Sequence, residues 1–288
     1  SFKRYFKEKK KKTQFNRFVD PFIQLYKNQR TSKKVVLYPF EEPTEKKIYQ
    51  IKGTPTPDLR PRIVNTQFDV KDVLQLSREM NVSLTIYLTA IYILSVYETS
   101  DKDEATTTIS ASIPINLRQF FPSETVRNFF STTTVDYTFS KDEEPDIQEI
   151  CQTLDKQFKA QLEKEAIEDR LKRYVAFEEN PFARVIIRPI KDMILKTINH
   201  LNNRKISVAM SNLGRLNLPD GLNKHVEDFY FTVSVVRPQF CMISHKDKLN
   251  ITFSSPFVET EIFQYFVKYL TNNGLDATID VNKVTRAE

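Results

Sequence analysis

Three histidines are the first residues to consider for chemistry, because histidine is the commonest general base in enzymes. They are His200, His225 and His245. A base needs a second group that orients its ring, and only His225 has nearby candidates, Glu227 or Asp228. His200 is expected at the end of a helix and His245 at a hairpin. We therefore expect structural roles for all three.

A polar loop between two strand-like runs is the stronger candidate for a site. The runs, Thr108–Ile115 and Phe129–Thr138, are rich in β-branched and aromatic residues. Loops held by core strands are where function concentrates. We therefore predict that the rest of the chain supports this pair of strands or forms the other wall of a site beside them. The loop carries Pro114, Asn116, Arg118, Pro122, Arg127 and Asn128.

The common catalytic signatures are missing from the sequence. It contains no phosphate loop, no GxGxxG, no GxSxG, no HExxH and only four glycines. Its two cysteines, Cys151 and Cys241, are far apart and show no metal-ligand spacing. The sequence therefore predicts no metal site, and reduced thiols in a cytoplasmic protein.

Length and charge set further limits. The 288 residues suffice for one large domain or two ordinary ones, and the net charge is +6. The first twelve residues are strongly basic, which fits a solvated helix end, an acidic partner or a phosphorylated cofactor. No nucleic-acid module accompanies the charge. The run SFKRYFKEKKKK has no apolar stretch after its charges, so no secretory signal is expected. No apolar run approaches about 20 residues, so no membrane span is expected.

Hydrophobic periodicity predicts an α+β fold, a two-layer sandwich in which helices cover a mixed, largely antiparallel sheet. Basic amphipathic helical structure is expected over residues 2–29, with a break or a new helix start at Asp20 and Pro21. A proline-rich crossing segment is expected over residues 31–62. The other predicted helices are Val70–Met80, Leu84–Tyr97, Asp146–Glu168, Arg170–Glu178, Phe182–Leu201 and Glu261–Leu270. The predicted strands are Arg62–Phe68, Thr108–Ile115, Phe129–Thr138, Lys205–Ser211, Phe229–Val236, Phe240–His245, Leu249–Ser255 and Ala277–Val281.

Four runs resemble one superfamily over about residues 45 to 280. They are QFDVKDVLQLSREMNVSLTIYLTAIYILSV, ISASIPINLRQFFPSETVRNFFSTTTVDY, KISVAMSNLGRLNLPDG and CMISHKDKLNITFSS. In this order they resemble the second, C-terminal lobe of the chloramphenicol-acetyltransferase-like superfamily. It contains the CoA-dependent acyltransferases, the condensation domains of peptide synthetases and bacterial alcohol acetyltransferases. The resemblance implies acetyl-CoA or another acyl thioester as co-substrate and a small-molecule acceptor, an alcohol or an amine.

The resemblance also implies a division of the chain. Residues 1–60 would be the tail of a first lobe and a crossing linker, and residues 61–288 the second acyltransferase-like lobe. The superfamily carries its motif HHxxxDG at the end of the first lobe, where the second histidine is the general base. No HxxxD occurs in this sequence. The resemblance therefore implies that the base lies outside this chain, in a missing N-terminal lobe.

Site residues follow from the resemblance position by position. Arg118 in PINLR resembles the arginine that pairs with the motif's aspartate and anchors the catalytic loop, since a guanidinium fork bonds a carboxylate bidentately. A surface arginine in a loop is the alternative. The strand start beside the family's tunnel corresponds to Asn128, Ser131 and Thr132.

The run Ser211-Asn212-Leu213-Gly214 falls near the family's acyl or pantetheine channel. Its small polar side chains would donate hydrogen bonds to a thioester or to a tetrahedral oxyanion. The alternative is a turn that ends the preceding strand and requires Gly214 for positive φ. The family's DFGWG-like element has no clear counterpart, and His245-Lys246-Asp247-Lys248 occupies that hairpin.

Two functions remain open at this point. The first is an acyltransferase, of which this chain is the C-terminal part and whose basic residues draw the CoA phosphates. The second is a non-catalytic lobe or degenerate relative that binds a carrier protein or another partner. Nucleic-acid binding rests on charge alone, and no nucleic-acid partner is expected.

Overall fold

The structure is a computed structural model that describes residues 46–57, 60–121, 123, 127–179 and 188–282. The predicted helical structure over residues 2–29 lies outside the described residues. The chain divides into two compact units. The first comprises Ser1–Pro43, Ile115–Thr132 and Ala160–Asn199. The second comprises Thr44–Pro114, Thr133–Lys159 and His200–Glu288.

The described elements follow the predicted order in outline. The strands are β1 (Arg62–Asp69), β2 (Thr106–Asn116), β3 (Phe130–Ser140), β4 (Val208–Arg215), β5 (Gln239–His245), β6 (Lys248–Ser255) and β7 (Thr278–Val281). The helices are α1 (Val70–Glu79), α2 (Leu84–Glu98), α3 (Ile147–Leu162), α4 (Lys164–Glu179), α5 (Arg188–Asn203), α6 (Asp220–Asn223) and α7 (Glu261–Asn272). A single 3₁₀ turn, Leu117–Gln119, follows β2.

The strands of the described chain form one mixed sheet in the order β3-β2-β4-β5-β6-β1-β7. The pairs β2–β4 and β4–β5 are parallel, whereas β5–β6, β6–β1 and β1–β7 are antiparallel. Lys246 and Asp247 connect β5 to β6, and Lys246 has the positive φ of 54° that such a tight turn needs. The predicted α+β fold and the predicted two-residue hairpin are confirmed.

Side-chain caps set the starts of α1 and α2. The Asp69 carboxylate accepts the backbone N–H of Lys71 at 2.7 Å, and the Ser83 hydroxyl accepts that of Ile86 at 3.3 Å. Each satisfies a donor that has no partner within its helix. Both caps were predicted from the sequence and are confirmed.

One large hydrophobic core fills the second unit. Helix α2 is buried on nearly all sides, because it packs between the sheet and α7. Its Tyr92 lies among Phe240, Phe253 and Phe266. Within the described residues no single helix is long and apolar enough to cross a membrane, and α1 with α2 reach that length only as a pair bent by 82°.

Both cysteines lie in buried positions as free thiols. Burial raises the pKa of the Cys151 thiol to about 12, helped by the charges of Asp146 and Asp155. Burial raises the pKa of the Cys241 thiol to about 11. Both side chains are therefore uncharged thiols at neutral pH and act as small apolar groups.

The predicted single helix Asp146–Glu168 is wrong, because the helix is interrupted at Glu163. Before the interruption, α3 buries Ile150 and Leu154 in the core of the second unit. After it, α4 buries Ile167 and Leu171 in a separate core of the first unit. Periodicity alone does not show that one apolar stripe serves two cores.

The predicted strand Phe229–Val236 is also wrong, since these residues form no helix or strand. Side-chain contacts, and not backbone pairing, hold this segment on the sheet. One of them is the hydrogen bond between the hydroxyl groups of Thr232 and Ser254, at 2.6 Å. The predicted turn at Asn212–Gly214 is wrong as well. Strand β4 continues to Arg215 through a β-bulge, at which Gly214 has the expected positive φ, 73°.

Gly53 lies where side-chain atoms of Phe257 and Glu259 leave no room for a Cβ. Thr54 and Val258 pair through a backbone hydrogen bond of 2.9 Å, and an added Cβ at Gly53 would lie 2.8 Å from the Phe257 Cβ. We expect Gly53→Ala to lower the free energy of unfolding by about 1–3 kcal/mol, measured by urea denaturation.

Gly221→Ala is the matched control for Gly53→Ala, because a Cβ added there has no neighbouring atom within 4 Å. Its free energy of unfolding should stay within about 0.5 kcal/mol of the native value. Equal effects of the two substitutions would contradict a steric cost specific to Gly53.

Candidate functional site

Arg118 belongs to the first unit and closes the loop that follows β2. Its backbone N–H donates to the Asn116 side chain at 3.1 Å, which starts the 3₁₀ turn. Its guanidinium Nη2 donates to the Arg127 carbonyl oxygen at 2.6 Å. The exposed side chain therefore ties the beginning of the loop to its end.

A small apolar core supports this loop within the first unit. The Leu117 N–H donates to the Phe129 carbonyl at 3.2 Å, so the two ends of the loop lie side by side. The buried members of the core are Leu117, Phe121, Phe129, Ile167 and Leu171.

The other three predicted residues of the first unit lie at the start of β3 or just before it. Asn128 is exposed, and the carbonyl oxygen of Thr132 accepts a hydrogen bond from Arg170 at 2.9 Å. Ser131 is only 4% exposed, and its hydroxyl has no hydrogen-bond partner among the residues that the structure describes. A buried hydroxyl without a partner is energetically costly, so this atom is one that an ordered water or a ligand would satisfy. Arg118, Asn128, Ser131 and Thr132 thus belong to one compact unit.

Ser211, Asn212 and Gly214 belong to the second unit, on β4. The Asn212 amide donates to the Thr85 hydroxyl at 3.0 Å and accepts the Gly214 N–H at 2.7 Å. It therefore braces the bulge against α2. Ser211 pairs with Cys241 and Asn212 with Met242, so their side chains leave opposite faces of the sheet. Only one of them can face a given ligand.

Two of the cavities formed by described residues lie in the second unit, and none of the seven predicted site residues lines either of these two. One has a volume of about 210 Å³, between the Gly53 segment and α7. The other, about 640 Å³, is an open groove lined by tyrosines and carboxylates. Across the ranges that the structure describes, no three His, Cys, Asp or Glu side chains are close enough to hold a metal ion.

A row of polar side chains on one face of the sheet was missed by sequence reasoning. On β6 it comprises Asn250, Thr252 and Ser254, each at most 2% exposed, and on β5 it includes His245. The signal is visible in the sequence KLNITFSS, where every second residue is polar. Such alternation ordinarily indicates a solvated face, yet here the polar residues are buried.

The comparisons with known proteins point to one family. The family model for alcohol acetyltransferases matches residues 10–256. No curated protein sequence matches the chain.

Among solved structures, the fold is similar to that of TRI3 trichothecene 15-O-acetyltransferase from Fusarium sporotrichioides. The TM-score is 0.52 at 12% identity, over 76% of this chain and 49% of that one. An epimerization domain from the third module of tyrocidine synthetase B matches with a TM-score of 0.49 at 12% identity, over 87% of this chain and 54% of that one. The chain spans about half the length of these structures. At 12% identity the likeness to the TRI3 structure shows the fold alone.

Proposed function

We propose that this chain, which belongs to the alcohol acetyltransferase family, takes part in moving an acetyl group from a thioester to an alcohol. The observation that carries the proposal is the family match over residues 10–256. The proposed donor is acetyl-CoA, with a carrier-bound acyl thioester as the alternative. The proposed acceptor is a small-molecule alcohol, in line with the description of the family, and an amine is the alternative.

The chemistry needs three groups around the thioester. A base takes the proton of the acceptor hydroxyl, whose oxygen attacks the thioester carbonyl carbon. Hydrogen-bond donors stabilise the tetrahedral oxyanion. The carbon–sulfur bond then breaks, the ester leaves, and the thiolate takes the proton back from the base.

Two residues of this chain have proposed roles in that reaction. Ser131 supplies a hydrogen-bond donor near the thioester carbonyl, which is supported by its buried hydroxyl without a described partner. Arg118 positions the loop that carries the base. The base itself is assigned to a histidine outside this chain, because the sequence holds no HxxxD.

The remaining assignments are part of the same proposal. Residues 61–288 form the second lobe of the family's fold, and residues 1–60 are the tail of the first lobe with the linker. The protein acts in the cytoplasm, which is supported by two cysteines that stay free thiols.

Arg118→Ala should lower kcat at least ten-fold with little change in the KM for the thioester, because a positioning group acts on the base and not on binding. The measurement is steady-state release of the free thiol in the presence of an alcohol acceptor. Full activity of Arg118→Ala would remove this residue from the site.

Arg118→Lys is the control that separates positioning from simple charge attraction. A lysine keeps the charge but cannot reproduce the planar fork of a guanidinium. If Arg118 positions the loop, Arg118→Lys is impaired nearly as much as Arg118→Ala. If Arg118 only attracts phosphate groups, Arg118→Lys retains the native KM and kcat.

A further inference from the structure

His245 lies buried in the second unit with one ring nitrogen unused. The side chain is 2% exposed, and Nδ1 lies 3.3 Å from the Leu216 carbonyl oxygen. A carbonyl oxygen only accepts hydrogen bonds, so Nδ1 is a protonated ring nitrogen. In the tautomer with its single proton on Nδ1, Nε2 is an acceptor, and it has no partner in the part of the chain that the structure describes.

Asn250 offers the complementary group on the neighbouring strand. It is fully buried, and its Oδ1 accepts a hydrogen bond from Gln67 Nε2 at 3.0 Å. The same Gln67 nitrogen donates to the Asp228 carboxylate at 2.9 Å, and because a carboxylate only accepts, this pair fixes the Gln67 amide and with it the orientation of Asn250. The Asn250 Nδ2 is therefore a donor, and among the described residues it also lacks a partner.

The register of the β5–β6 hairpin brings the two groups to the same face of the sheet. His245 pairs with Lys248 and Ile243 pairs with Asn250, so His245 and Asn250 are diagonal neighbours. Diagonal neighbours lie roughly 7–8 Å apart across an antiparallel pair. Both side chains therefore lie on one face of the hairpin, near enough for one small group to contact both.

An irregular stretch, residues 226–237, covers this face and is named here the covering segment. No described backbone hydrogen bond joins residues 226–236 to the sheet. Segments held in this way open at a lower free energy than the surrounding sheet. Its described contacts with the β5–β6 hairpin and β1 include the pairs Asp228–Gln67 (2.9 Å), Asp228–Lys248 (3.2 Å), Phe229–His245 (ring centroids 5.3 Å apart), Thr232–Ser254 (2.6 Å) and the bond from Lys246 Nζ to the Val226 carbonyl (2.9 Å).

We propose that His245 and Asn250 together bind one hydroxyl group beneath the covering segment. A hydroxyl matches both unused atoms, since it donates to Nε2 and accepts from Nδ2. A carbonyl group would leave Nε2 without a donor, and an ammonium group would leave Nδ2 without an acceptor. The inference goes beyond the proposed function, because neither residue was carried over from the family.

Two molecules can supply this hydroxyl group, water and a small alcohol. Buried polar atoms of proteins are commonly bridged by water, which needs no opening of the covering segment. An alcohol enters when the segment opens, and its alkyl group then lies against Phe229. The experiment has one arm for each source.

The test is nitrogen NMR of the native protein labelled with ¹⁵N at its three histidines. His200→Gln and His225→Gln assign the His245 signals without altering the pair. The expected spectrum shows a neutral ring protonated at Nδ1, with Nε2 accepting a hydrogen bond. In the alcohol arm 1-butanol is titrated in, and 1-chlorobutane of similar size without a hydroxyl is the control.

Each outcome decides the proposal. A saturable shift of the Nε2 signal with 1-butanol, but not with 1-chlorobutane, supports the site and identifies an alcohol. A hydrogen-bonded Nε2 that shows a cross-peak to water and ignores both compounds supports the site and identifies water. A ring protonated at Nε2, or an Nε2 lone pair without a hydrogen bond, overturns it. These readouts need no catalytic activity, so failure of the proposed acyl transfer would be distinguishable.

An Asn250→Leu variant adds a second check on the same signal. Loss of the amide donor should abolish the saturable shift with 1-butanol, or weaken the cross-peak to water if water is the occupant. An unchanged Nε2 signal in a folded Asn250→Leu protein would overturn the role of Asn250. If this variant does not fold, the titration of the native protein still decides.

Discussion

Tyr92→Phe is expected to raise the free energy of unfolding by about 1–3 kcal/mol, the cost of a buried hydroxyl without a hydrogen bond. The Tyr92 side chain is fully buried, and in the portion that the structure describes its hydroxyl has no partner. Burial raises the pKa of this hydroxyl well above its usual value. Tyr92→Phe keeps the ring contacts with Phe240 at 5.1 Å and Phe266 at 6.1 Å, so only the hydroxyl is tested.

Tyr92→Ala should have a large opposite effect, a loss of about 3–5 kcal/mol, because it leaves a cavity among aromatic rings. The matched control is Tyr97→Phe. The Tyr97 hydroxyl donates to the Ser140 carbonyl at 3.2 Å, so its removal should cost about 1 kcal/mol. Urea denaturation measures all three variants. A destabilised Tyr92→Phe would mean that its hydroxyl has a partner in solution.

Arg237→Met is expected to lower the free energy of unfolding by about 3 kcal/mol. Arg237 is half-buried, and its guanidinium donates to the Asn203 carbonyl at 3.0 Å, to the Asn203 side chain at 2.7 Å and to the Ile206 carbonyl. Burial lowers the pKa of Arg237. Methionine retains much of the packing but removes the guanidinium donor of the Asn203 carbonyl, at the end of α5, and of the Ile206 carbonyl, just after it, which costs about 1–3 kcal/mol for each group left unpaired.

Arg204→Met is the control for Arg237→Met. Arg204 belongs to the same unit as Arg237, but its side chain is exposed. Surface substitutions of this kind change the free energy of unfolding by about 0.5 kcal/mol or less. Equal losses in the two variants would contradict the role of the Arg237 fork. Thermal or urea denaturation of both proteins makes the comparison.

Local sequence patterns predicted those helices, strands and turns whose signals lie within a few neighbouring residues. Asp69 and Ser83 gave the starts of α1 and α2, because a cap acts on the adjacent turn alone. Lys246-Asp247 gave the hairpin, and β-branched runs gave β2 and β3. The order of strands in the sheet could not be read in this way, since parallel pairing of β2, β4 and β5 joins segments far apart in sequence.

The errors arose where tertiary contacts overrode local pattern. Residues 229–236 have the composition of a strand, but they contact the sheet through side chains such as Thr232 and form no strand. The helix pattern of residues 146–168 continued through Glu163, yet the chain there passes from one core to another.

The candidate site could be predicted only in part. The loop around Arg118 follows from two strands with polar residues between them. The buried row that includes Asn250 was visible as alternation, but sequence alone does not tell a buried polar face from a solvated one. The pairing of Asn212 with Thr85 joins residues 127 positions apart, so no local rule anticipates it.

The central claim, acetyl transfer to an alcohol, is tested most directly by product formation. The protein encoded by the complete reading frame is incubated with acetyl-CoA and a panel of small alcohols, and both the acetate ester and the free thiol are quantified. We expect ester and thiol in equal amounts, and a strong decrease of both in Arg118→Ala. Thiol without ester, or neither product with any alcohol, would contradict the claim and favour binding of a partner as the function.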